Sequence, residues 1–187
     1  MINAPPLPTP AGPRVNIHEE IGGSTRAEIF EAFFHWLLEH HADTLSLRDE
    51  MIPLLVIELV PGRYIKWPPT PSGNRGRHIV GVSVIEDRRP GRRRFPDDLR
   101  ALVAAGKKKH EEDILGFYAR LATLPHELGH LAAFWEMFHD TPAHVSRKKM
   151  NARWKPYGSE ATHEEIQNLA VRLTIYFAGT IALEWPK

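Results

Sequence analysis

Two histidines four residues apart, with a glutamate directly after the first, are the part of this chain most able to do chemistry: His126, Glu127 and His130 in the run His-Glu-Leu-Gly-His. On a helix, residues at this spacing share one face, so both imidazoles can be aimed at a single divalent ion such as Zn2+. Glu127 then lies beside that ion. There it can take a proton from an attacking water and pass it to the leaving amine, while the metal polarises a scissile carbonyl. The chain has 11 histidines, and its own His and Glu frequencies give roughly a 5% chance of such a match arising at random. Context strengthens the motif, because it lies in a stretch of helical periodicity and Gly129 leaves room close to the site.

A catalytic zinc needs a third protein ligand and an open position. The chain has no cysteine, so that ligand must be His or a carboxylate. Glu136 is local but lies six residues beyond His130 in a continuous helical stretch, roughly 120° around the axis, and cannot reach the same ion. His139, Asp140 and His144 are looser candidates. A second helix packed against the first offers Glu164 and Glu165. Glu165 shares a face with Leu169 and Glu164 with Asn168, which favours Glu165 and keeps Glu164 as the alternative. Tyr157 or His144 are candidates to stabilise an oxyanion.

These residues need elements to hold them. Ser24 and Thr25 before Glu28 suggest a capping box, and Ile29, Phe30, Phe33, Phe34, Leu37 and Leu38 follow at helical spacing, predicting a helix over 25–40. Leu54 to Val60 and Arg63 to Trp67 read as two strands around Pro61-Gly62, and His78 to Ile85 as a third that could pair with an extended peptide. From Glu111 a helical pattern runs into Pro125, which predicts a kink or restart before a helix over about 125–138. The last helix should start near Thr162 and turn Ile166, Leu169, Ala170, Leu173 and Phe177 inward, ending around Gly179. The fold class implied is α+β: a small twisted sheet from about residue 53 to 85, a helix packed on it, and two site helices.

At 187 residues, 42% apolar and 25% charged, the chain fits one ordinary globular domain. The expected division is a flexible Pro-rich tail over 1–23 and a single domain over 24–187. The opening segment lacks a basic region followed by an apolar run, and the longest apolar stretches are too short for a membrane span, so the expected location is cytoplasmic, away from membranes. Formal net charge is +1, which gives no general attraction to nucleic acid. Only the run Arg88, Arg89, Arg92, Arg93 and Arg94, with Lys107 to Lys109 after it, could supply a local one. Flanking acids favour a solvated loop there.

Over about the last 70 residues the sequence resembles the metallopeptidase domain of ArdC-type antirestriction proteins. The resemblance is carried by Phe117-Tyr118-Ala119-Arg120-Leu121-Ala122-Thr123-Leu124 ahead of the His126 to His130 run, by Tyr157-Gly158-Ser159-Glu160-Ala161, and by Glu164-Glu165-Ile166. A more distant likeness to ImmA/IrrE-type peptidases has the same logic. The resemblance implies a zincin-like fold, a gluzincin zinc site and the second of the paired glutamates, Glu165, as third ligand. The expected function is zinc-dependent hydrolysis of a peptide bond in a protein substrate, with Glu127 as general base and His126, His130 and Glu165 on the metal. The alternatives are a nucleic-acid-associated binding protein using Arg88 to Arg94, and a metalloprotein without turnover.

Overall fold

The computed structural model describes residues 12–19, 21–60, 81–84, 99–104, 118, 120–140 and 160–180. Within them the architecture is mixed α+β. In chain order the elements are β1 (Arg14–Ile17), α1 (Thr25–His41), a short 3-10 turn (Ile52–Leu54), β2 (Leu55–Val60), β3 (Gly81–Val84), β4 (Leu99–Ala104), α2 (Thr123–Phe138) and α3 (Glu160–Thr180).

The four strands form one sheet in the order β1-β2-β4-β3, with β1, β2 and β4 parallel and β3 antiparallel to β4. Leu55, Ile57 and Leu59 stand opposite Leu99, Ala101 and Val103, so alternate residues of both strands fall on one face. All six are buried there against Phe30, Phe33, Phe34 and Leu37 of α1 and Leu124, Leu128 and Leu131 of α2. That shared core fixes α2, and with it the motif, against the centre of the sheet. No helix among the described residues is long and apolar enough to cross a membrane.

Several expectations change. Arg14–Ile17, assigned by composition to the flexible tail, is an edge strand, pinned to β2 by the Asn16–Glu58 register and a 3.1 Å hydrogen bond from Asn16 Nδ2 to Glu58 Oε1. The sheet therefore extends beyond residues 53–85 on both sides, taking in β4 as well. Both edges of β2 are occupied by β1 and β4, so β2 does not belong to a hairpin turning at Pro61-Gly62. Arg63 to Trp67 lies outside the described residues, as do Arg88 to Arg94 and Lys107 to Lys109. β3 falls inside the strand expected over His78 to Ile85 and, among the described residues, lies at a sheet edge.

The helix ends are set locally. Ser24 alone caps α1, its hydroxyl accepting from the Ala27 amide at 3.3 Å and donating to the Ile21 carbonyl at 2.7 Å. The cap is thus one residue earlier than a Thr25–Glu28 box requires. Beyond α1, Leu47 N–H reaches the Ala42 carbonyl and Ser46 N–H the Asp43 carbonyl, both at 2.9 Å, while Ser46 has φ +57°. This is a Schellman closure with serine in the left-handed position that glycine normally fills. At α2 the restart expected before Pro125 occurs at Ala122, and Pro125 occupies the first turn, where a missing N–H breaks no intrahelical bond.

The exposed Ser46 carries a left-handed strain of about 1 kcal/mol that glycine does not. Ser46→Gly is therefore expected to raise the melting temperature by roughly 2–4 °C. A thermal melt showing no gain or a loss would contradict the closure.

Candidate metal centre

The motif lies at the start of α2, one turn inside the helix, and its two histidines emerge on the same side. Their Nε2 atoms stand 3.1 Å apart. Two nitrogens that share a tetrahedral zinc at about 2.0–2.1 Å are separated by roughly 3.3–3.4 Å, so the pair is already close to coordination geometry. Glu127 turns towards the same point, with Oε1 3.7 Å from His126 Nε2, and its side chain is only 4% exposed.

A third imidazole completes the group. His163, in the first turn of α3, stacks beside His130 with ring centroids 5.4 Å apart and meets His126 edge-on at 4.7 Å. One ligating nitrogen from each of His126, His130 and His163 lies within 4.8 Å of the others. Bringing the outermost contact to roughly 3.3 Å requires a movement of at most about 1.5 Å. His163 is exposed and free of core packing that would resist it.

What lets α3 come so close is Gly129. A β-carbon there would stand 2.9 Å from Ile166 Cγ2 and 3.5 Å from its Cγ1. Ile is branched at Cβ and cannot easily swing aside. The absence of a side chain at Gly129 therefore sets the spacing of the two helices beside the histidines. At its other end α3 is held by Phe177, stacked on Phe33 of α1 at 4.4 Å.

The electrostatics suit a cation. Burial, reinforced by the neighbouring His130 and His163 rings, pushes His126 down to about 4, with a hydrogen bond to Gln167 acting in the opposite sense. Burial and His163 likewise push His130 down to about 4. Both rings are therefore neutral at pH 7, each with one ring nitrogen that carries a proton and one that offers a lone pair. Burial raises the Glu127 carboxyl well above the usual carboxylate range. A cation beside it would favour the charged form again.

Glu165, the carboxylate favoured from sequence, is exposed and is not brought into this group. It lines a neighbouring groove of about 400 Å³ with Leu45, Arg48, Gly129, Glu136 and Leu169. Glu164 is also exposed. Glu136 pairs with Arg48 at 3.3 Å, and His139 pairs with Asp140 at 3.1 Å at the far end of α2. His144 and Tyr157 lie outside the described residues. The helical wheel of α3 carried a signal that a comparison with Leu169 alone misses. Ile166, Ala170, Leu173 and Phe177 define the inward stripe, and at 100° per residue His163 lies roughly 50° from its centre, Glu165 roughly 110°.

No family model, curated protein or solved structure matches this chain, so its chemistry has to be derived from the site itself.

Gly129→Ala tests the helix spacing. Helix propensity favours alanine by about 1 kcal/mol, whereas the clash with Ile166 is of the overpacking kind that costs about 1–3 kcal/mol. The variant should bind zinc more weakly, and Gly129→Ala with Ile166→Ala should recover part of the loss in a calorimetric titration. Equal affinity for the unaltered protein and Gly129→Ala would show that the spacing does not matter.

A second expectation concerns the metal-free protein. Its His126 and His130 contribute stability that is present above pH 6.5 and lost as pH falls towards 4. Glu127 contributes in the other direction: its share is present below pH 4.5 and lost as pH rises through the elevated folded value. The two contributions therefore act on opposite sides, the histidines weakening the fold in acid and Glu127 as pH rises. Glu127→Gln should remove the decline on the alkaline side in melts of chelator-treated protein; an unchanged decline would contradict a neutral, buried carboxyl.

Proposed function

We propose that this protein is a metal-dependent hydrolase of the zincin-like kind, cleaving peptide bonds in a protein substrate. The observation that carries the proposal is the convergence of the His126 and His130 Nε2 atoms at 3.1 Å with the Glu127 carboxyl 3.7 Å from one of them. Two neutral imidazoles and a buried carboxyl at one point fit a divalent cation with an adjacent proton acceptor. Zinc is the ion this donor set suits, although histidine also accepts other divalent metals of the first transition row.

When bound, zinc supplies Lewis acidity, polarising a carbonyl and making a water molecule acidic enough to attack near neutral pH. His126 and His130 would hold the ion through Nε2, with a further ligand from α3. Glu127 holds and moves the proton: it accepts one from the attacking water through a carboxylate oxygen and returns it to the departing amine nitrogen. Its burial keeps bulk solvent from competing for that proton.

The sheet supports a position for the substrate. Among the described residues β3 stands at the end of the sheet next to β4, and α2 packs against both. An extended peptide paired with the side of β3 away from β4 would gain backbone hydrogen bonds while running alongside the motif helix. The antiparallel edge strand beside the site helix is also what supports a zincin-like reading of the mixed sheet, as the ArdC-type resemblance of the last 70 residues does. Cleavage of a protein, rather than a small amide, is the substrate class this edge suits.

Glu127→Gln separates catalysis from metal binding. The variant should retain zinc, because it keeps every imidazole, and lose activity on an unstructured protein substrate by about 10²–10⁴-fold, the range for general acid–base catalysis. Full activity in Glu127→Gln would remove Glu127 from the mechanism. Zinc binding by the unaltered protein with no cleavage of any protein substrate would leave a metalloprotein without turnover.

A further inference from the structure

We infer that the third ligand of this metal centre is His163, and that the ion is held by three imidazoles with no carboxylate among its protein ligands. The inference rests on the reading of His126 and His130 as a metal pair and names what α3 adds to it. The candidates on α3 are separated by geometry. His163 lies on the side of α3 that faces α2, against both motif rings, and supplies a nitrogen within 4.8 Å of theirs. Glu165, two residues on, is turned about 200° around the helix and lines the groove with Arg48 and Glu136 instead.

The helix spacing makes the choice firm. Ile166 occupies the space over Gly129, so α3 meets α2 through the stripe containing His163 and Ile166. Rotating α3 to bring Glu165 inward would take Ile166 off Gly129 and draw Phe177 away from Phe33. His163 needs only side-chain movement, whereas Glu165 needs the helix to be repacked.

The ligand set has a chemical consequence. Three neutral imidazoles leave the full +2 charge on the ion, whereas two imidazoles and a carboxylate leave +1. Among the described residues, the acidic side chain at the point of convergence is then Glu127, which balances part of that charge without being needed as a ligand.

The natural absence of cysteine gives a direct test. Cobalt(II) is titrated into the unaltered full-length protein and into His163→Cys and Glu165→Cys. A thiolate ligand produces a sulfur-to-cobalt charge-transfer absorption that no side chain of the unaltered protein can give. The band is expected from His163→Cys and not from Glu165→Cys. A band from Glu165→Cys, alone or together with His163→Cys, or from neither variant, would overturn the assignment. Zinc titrations of His163→Ala and Glu165→Ala give a second readout: affinity should fall roughly 100-fold or more in the first and stay within about threefold in the second. Circular dichroism of the metal-free variants checks that each is folded. Failure of the unaltered protein to bind cobalt or zinc would defeat the metal-centre reading itself, whereas binding with the wrong variant pattern would defeat the His163 assignment alone.

Discussion

The contact on which the site depends is between a hydrogen atom and a methyl group: Gly129 on α2 lies under Ile166 on α3, where a β-carbon would be only 2.9 Å from Ile166 Cγ2. Two helices usually pack 8–10 Å apart, according to the side chains at their crossing, and removing the side chain lets the axes come together. Because His126 and His130 flank Gly129 in sequence and His163 precedes Ile166 by one turn, closing this contact also closes the imidazole cluster. Packing and coordination geometry are therefore one constraint. The Phe177–Phe33 stack at the other end keeps α3 from pivoting away.

The same contact explains the electrostatics. Burial first, and the neighbouring imidazoles second, disfavour protons on His126 and His130, so both remain neutral well into acid. Burial in the same dry surroundings pushes the neighbouring Glu127 carboxyl well above the usual carboxylate range. The metal-free site thus stores an arrangement of neutral groups that a divalent cation relieves: lone pairs find an acceptor, and Glu127 finds a positive charge to ionise against. The sheet serves this arrangement by burying one face of α2, from Leu124 to Leu131, while the histidines emerge beside it.

The sequence made some of this legible and hid the rest for physical reasons. Local periodicity and capping revealed α1, α2 and α3, because an amphipathic helix repeats its signal over many residues. Pro125 correctly marked a restart, since a missing N–H is tolerated only in a first turn. β1 and β4 were missed: Arg14–Ile17 is a four-residue strand beside a Pro-rich segment, and Leu99–Ala104 is central to a sheet and lacks clean alternation. Within the site, the motif spacing identified His126, Glu127 and His130 without help from tertiary structure. His163 was harder to see, because choosing the inward face of α3 requires the whole stripe from Ile166 to Phe177, and Leu169 alone points to Glu165.

The measurement that bears most directly on this account is X-ray absorption at the zinc edge of the zinc-loaded, full-length protein. The account predicts one ion per chain with three imidazole scatterers, their nitrogens at about 2.0–2.1 Å, and one oxygen ligand without a ring in the remaining position. A shell with two imidazoles and a protein carboxylate, or a spectrum indistinguishable from hydrated zinc, would contradict it.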